Sequence, residues 1–123
     1  MKQNESQLLQ EVIRLFSDLE DATYGKERAN GRYVIPTASN FYYHAKRLYE
    51  VTDELVANYH TDYITQSDYE FICDSKRSLL LDLDVKKDKK GLNVQELTYL
   101  LETYLLKLQG LFGEIILAAK NKQ

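Results

Sequence analysis

A chain of 123 residues, 44% hydrophobic and 28% charged, has the size and composition of one globular domain, residues 1–123, and not of a disordered tail. Its formal net charge of −3 argues against bulk electrostatic coating of nucleic acid or an anionic membrane, and no run approaches the ~20 apolar residues that span a bilayer. The single cysteine, Cys73, excludes an intramolecular disulfide and a cysteine-built metal site.

The first residues, Met1-Lys2-Gln3-Asn4-Glu5, lack the apolar run of a signal peptide, so the cytoplasm is the expected compartment. Five Gly and one Pro leave few tight turns, which favours a few long elements. Ten Tyr with no Trp is the one compositional oddity. Tyr joins a large contact area to a polar tip, and the core and its rim are expected to take most of these.

Four helices are predicted. The first runs from near Asn4 to about Thr23, with Leu8, Leu9, Val12, Leu15, Phe16 and Leu19 on one stripe. Asn4 with Gln7 forms its capping pair and Tyr24-Gly25 ends it. Residues 25–36 form the longest connection, read as a loop because it holds only one apolar run, Tyr33-Val34-Ile35, tucked against the bundle.

Pro36 with Thr37 or Ser39 opens the second helix, which continues to about Tyr59. Phe41, Ala45, Leu48, Thr52, Leu55 and Tyr59 centre its apolar face, flanked by His44, Val51, Tyr49 and Val56. Ser67-Asp68-Tyr69-Glu70 reads as a capping box opening the third helix, which runs to about Val85. Its apolar face carries Ile72, Cys73, Leu79, Leu80 and Leu83, with Lys76 projecting onto the middle; Phe71, Ser78 and Val85 mark the opposite edge.

After Lys86-Lys87-Asp88-Lys89-Lys90-Gly91, Asn93 and Glu96 cap a fourth helix that continues almost to the C-terminus. Val94, Leu101, Leu108 and Ile115 recur every seventh residue, as do Leu97, Tyr104, Leu111 and Ala118. This predicts packing at about 20° to the neighbouring helices. The expected fold is all-α: a four-helix, up-and-down antiparallel bundle with one long loop between helices 1 and 2.

The sharpest functional signal is a second stripe on the last helix, Tyr99, Leu106, Gly110, Gly113 and Leu117, opposite the heptad face. Two glycines inside a helix each cost about 1 kcal/mol relative to Ala, which a close approach of another helix would offset. This predicts a partner interface there, with Tyr43 and Arg47 on the exposed side of the second helix as a secondary patch, since aromatic and Arg anchors favour hot spots. Two arrangements compete: a central helix covered on both sides by its own chain, or a helix ended early by Gly110.

Two basic clusters are candidates for phosphate contact: Lys26, Arg28 and Arg32, with Tyr24 or Tyr33 available for base stacking, and Lys86, Lys87, Lys89 and Lys90. A solvated helix C-terminus is the favoured reading of the second. His44 is expected to be a hydrogen-bonded structural histidine and Cys73 a buried thiol. No E-x-x-H spacing, H-E-x-x-H motif or Gly-rich phosphate loop is present. The expectation is a non-enzymatic interaction protein with no cofactor and no metal site. Its partner is a protein, either itself as a homo-oligomer or another chain, and not a membrane; an accessory subunit of a nucleic-acid complex is the alternative.

Overall fold

A computed structural model describes residues 3–27, 31, 33–59 and 61–121, the side chains of residues 33 and 34 excepted. The chain is all-helical in class. Its elements in order are α1 (Glu5–Tyr24), β1 (Lys26–Glu27), β2 (Tyr33–Val34), α2 (Ala38–Asn58), α3 (Gln66–Lys86), α4 (Val94–Leu111) and α5 (Gly113–Asn121). There are thus five helices among the described residues, where the sequence predicted four, the last of them continuous.

The caps follow the sequence closely at most ends. The Asn4 side chain accepts from the Gln7 N–H and the Gln7 side chain from the Asn4 N–H; the Asn93–Glu96 pair does the same for α4. Thr37 caps α2 through the Asn40 N–H. The start of α3 corrects the sequence reading: Thr65, two residues before Ser67, accepts from the Asp68 N–H at 3.0 Å. Ser67 and Glu70 therefore lie inside the helix rather than at its cap.

The connection read as a loop is a short antiparallel hairpin, with Lys26 opposite Val34 and Glu27 opposite Tyr33. Gly25 and Gly31, both at φ +81°, supply backbone that side-chain-bearing residues avoid. Thr37 N–H donates to Ala22 C=O, anchoring the hairpin's exit to the end of α1. The hairpin is held by backbone pairing, so a second apolar run was unnecessary. Ile35, expected against the bundle, is 60% exposed.

The core is contributed chiefly by α1 and α2. Leu8, Leu9, Val12 and Leu19 meet Phe41, Ala45, Leu48, Val51 and Leu55, all essentially inaccessible to solvent. Each of these side chains larger than Ala45 stabilises the fold by about 1.5–3 kcal/mol when removed from water. Leu101, Leu108 and Ile115 close the core from α4 and α5, as the heptads predict, whereas Val94, at the start of α4, is exposed. The contribution of α3 is slight: only Ile72, Leu79 and Leu83 are buried. Cys73, expected beside them, is exposed; it projects about 100° from Ile72, beyond the edge of that narrow strip.

The last predicted helix is interrupted at Phe112, whose backbone leaves the helical region at φ −102°, ψ 14°. The hydrogen-bond ladder nonetheless runs through the break, from Phe112 N–H to Leu108 C=O and from Ile116 N–H to Phe112 C=O. Gly110 and Gly113 flank the break and are weak helix formers. The Phe112 ring is fully buried, edge-on to Phe16 with centroids 6.4 Å apart and to Tyr49 at 5.2 Å. Seating that ring among three helices is what the local unwinding accommodates.

Tyrosine hydroxyls tie the helices together at their rims. Tyr49 bonds Ser75 at 3.2 Å, Tyr69 donates to Asp53 at 2.8 Å, Tyr24 donates to Glu102 at 2.7 Å, and Tyr59 donates to the Gln3 carbonyl. This accounts for much of the tyrosine excess: the rings fill the rim of a small core and the hydroxyls reach across it.

Candidate interaction surface

The second stripe of the C-terminal helices faces outward. Tyr99, Leu106 and Leu117 are 76%, 61% and 55% exposed, and both glycines between them are exposed. A Cβ placed on Gly110 or Gly113 would meet nothing within 4 Å. The arrangement in which the chain covers both sides of its last helix is therefore not found: among the described residues no helix makes the close approach that would use the glycines. Gly110 lies inside α4 and does not end it; the break comes at Phe112.

Beside the stripe, α3 and α4 diverge to leave an open groove of about 710 Å³, with Phe71, Ser78, Leu79, Leu106, Gly110 and Leu111 among its lining. Phe71 is itself 65% exposed. Asp82, Tyr104 and Lys107 line the same groove, and Lys86 joins the first two. Tyr104 donates a short hydrogen bond to Asp82, while Lys86 Nζ lies 3.2 Å from the Asp82 carboxylate and 2.9 Å from the Tyr104 hydroxyl. The Tyr104 bond, aided by Lys86, holds the Asp82 carboxyl below its usual value; burial and then Asp82 push the Tyr104 hydroxyl up. The charge of Lys86 is thus met within the chain.

The secondary patch on α2 divides. Tyr43 is 68% exposed and packs edge-on against His44 at 5.6 Å. Arg47 is not a free anchor: Glu11, on α1, accepts from its Nε and Nη2, Gln3 also accepts from Nη2, and Glu50 and Glu54 accept from Nη1. Glu11 is buried, and the Arg47 hydrogen bonds lower its carboxyl below the ordinary glutamate value. The sequence did carry the signal for this. Glu11 stands three residues after Leu8 and four before Leu15, inside the apolar stripe, where a lone carboxylate requires a cation.

The candidate phosphate contacts are mostly engaged or bare surface. Lys26 pairs with Asp21 at 3.6 Å, and Lys87 with Asp84 at 3.0 Å and Asp88 at 3.5 Å. Lys89 and Lys90 are exposed. Arg28 and Arg32 lie outside the described residues, as does the Tyr33 side chain. Lys87 also sits over the Tyr42 ring at 5.6 Å, which places the 86–90 turn beside the first turns of α2, where the hairpin enters.

His44 and Lys76 line different cavities. His44 shares one of about 160 Å³ with Asp18 and Asp21, and its buried Nδ1 has no hydrogen-bond partner among the described residues, contrary to the satisfied histidine expected. Lys76 faces a separate cleft with Tyr42 and Cys73 and leans 3.8 Å from Asp53, 41% exposed. His60 lies outside the described residues. Among the described residues no helix is long and apolar enough to cross a membrane, and no three His, Cys, Asp or Glu side chains are grouped to hold a metal ion.

No protein-family model, curated protein or solved structure matches the chain.

Proposed function

We propose that the protein is a non-enzymatic, cytoplasmic interaction module of the adaptor, chaperone, immunity or inhibitor type. It self-associates or docks onto another protein through the outer face of α4 and α5, which act together as the long fourth arm of an up-and-down bundle. The observation that supports this is the run from Leu106 to Leu117. Large apolar side chains there stand in solvent, and between them the chain keeps two helical glycines that nothing of its own fills. Exposed apolar residues scattered singly are ordinary, but Leu106 stands with the exposed Phe71 at one open groove, in line with Leu117 across the two bare glycines, and such a grouping marks a contact surface.

The test is Leu106→Glu, with absolute mass by light scattering and partner capture as the readouts. The variant keeps its helix content, since the side chain is outside the core, and loses assembly or capture. Unfolding of the variant, or an unchanged mass and an unchanged set of captured proteins, would sink the reading.

A second reading, an accessory subunit of a nucleic-acid complex, is favoured by one observation. The Lys87–Tyr42 contact brings the basic 86–90 turn to the end of the molecule from which the hairpin carrying Lys26 extends. Binding to an oligonucleotide that falls steeply between low and moderate salt would support it. Binding carried by the apolar face would scarcely change.

A further inference from the structure

The outer face of α4 and α5 is complementary to itself when turned end over end. Leu106 and Leu117 share a midpoint along the chain with Gly110 and Gly113. Around the same midpoint, to within one residue or about 1.5 Å of helix rise, stand two further pairs of opposite sign, Lys107 with Glu114 and Glu102 with Lys120. At helical spacing Lys107 and Glu114 fall on one edge of the stripe and Glu102 and Lys120 on the other.

A two-fold axis perpendicular to the helix, passing through that midpoint, keeps each edge on its own side. It sets Leu106 against the second copy's Leu117, Gly110 against its Gly113, Lys107 against its Glu114 and Glu102 against its Lys120. We infer that the partner on this face is a second copy of the chain, its α4–α5 arm antiparallel to the first and crossing closest at the two glycines. The inference rests on the proposed interaction face and names its occupant.

The observations on the single chain agree with this. Lys107, Glu114 and Lys120 make no ion pair among the described residues; Lys107 Nζ lies over the Tyr104 ring at 5.6 Å, a contact that leaves its charge without a carboxylate partner. Among the described residues Glu102 accepts the Tyr24 hydroxyl bond, which leaves its carboxylate with further acceptor capacity. Helical glycines with open space above them allow two backbones to come close, and a closed two-fold contact uses the same patch on both copies. A face that meets itself must carry both signs of charge in mirrored order; a partner of one sign would leave half of these charges opposed by their like.

The experiment measures the dimer dissociation constant by sedimentation equilibrium for wild type, Lys107→Glu, Glu114→Lys, the double variant, and an equal mixture of the two single variants. Circular dichroism confirms that each folds. Because the two-fold repeats every pair, one reversal turns two attractions into two repulsions, and each single variant weakens self-association about tenfold or more. The double variant recovers it. The mixture also recovers it, because one chain then presents two acids on that edge and the other two lysines.

Single variants that dimerise like wild type, or a mixture no tighter than its components, would overturn the antiparallel register. A wild type that stays monomeric at millimolar concentration would overturn the second copy as occupant. The parent reading fails separately: it falls if Leu106→Glu unfolds the chain, or leaves both mass and partner capture unchanged.

Discussion

Both carboxylate oxygens of Glu11 are held by Arg47, one by Nε at 2.7 Å and the other by Nη2 at 3.0 Å, so α1 and α2 are locked in register by a fork-to-fork ion pair. Glu11 is 7% exposed. A carboxylate in that position without its cation keeps the desolvation penalty and loses the compensation. Arg47→Met is expected to lower unfolding stability by about 2–3 kcal/mol, somewhat below the loss for a fully buried pair because Arg47 itself remains partly solvated. Glu11→Leu added to it should recover most of the loss. Urea unfolding midpoints of the two variants check both statements.

The same pair sets an acid limb. The folded state holds the Glu11 carboxyl below its ordinary value of 4.5, chiefly through the Arg47 hydrogen bond, so the unfolded chain takes up the proton first as pH falls. The stabilisation is complete above that ordinary value and is lost as pH drops through the lower folded one. Glu11→Gln should be less stable at neutral pH but flatter in its acid dependence. Parallel wild-type and variant curves from pH 6 to pH 3 would show that Glu11 carries none of it.

Phe112 concentrates core packing at the one interruption in the C-terminal arm. Phe112→Ala removes a fully buried ring that meets both Phe16 and Tyr49, and should cost about 3–5 kcal/mol. Denaturation monitored by far-ultraviolet circular dichroism gives the value directly, and a loss below about 1 kcal/mol would mean that the site collapses around the gap.

Gly110 separates fold from interface. It is helical, its φ is not positive, and a methyl group there meets nothing. Gly110→Ala should therefore stabilise the isolated chain by about 0.5–1 kcal/mol through helix propensity. A second arm crossing closely at this point would be pushed away by the same methyl, so the variant should melt higher at low concentration yet associate more weakly. Thermal melts at two protein concentrations read both effects.

Helix positions, three of the four N-caps and the heptad core were legible because each is written in local spacing. Asn4–Gln7 and Asn93–Glu96 satisfy backbone groups within one turn, and the Leu101–Leu108–Ile115 line repeats without interruption. What escaped were features decided between elements. The ring at the Phe112 break meets Phe16 and Tyr49, distant in sequence, and Thr65, rather than the better-looking box at Ser67, takes the Asp68 N–H. Arg47 looked like a surface anchor when α2 was projected alone; its partner lies thirty-six positions away on α1. The outer stripe of the last helix was legible as an anomaly, and the structure places it in solvent.

The modest burial of α3 has a consequence for the order in which the molecule comes apart. Three buried side chains and the partly buried Tyr69 and Leu80 hold this helix by packing, and much of the rest of its attachment is polar: Tyr49 to Ser75, Tyr69 to Asp53, Tyr104 to Asp82. Contacts of that kind yield readily to water, whereas the seam between α1 and α2 opens only by hydrating a broad set of fully buried apolar side chains and parting the Glu11–Arg47 pair. The chain therefore has a natural flap. On a rising thermal ramp α3 lifts first and bares Leu79 and Leu83, and amide exchange runs ahead there while α1 and α2 remain closed.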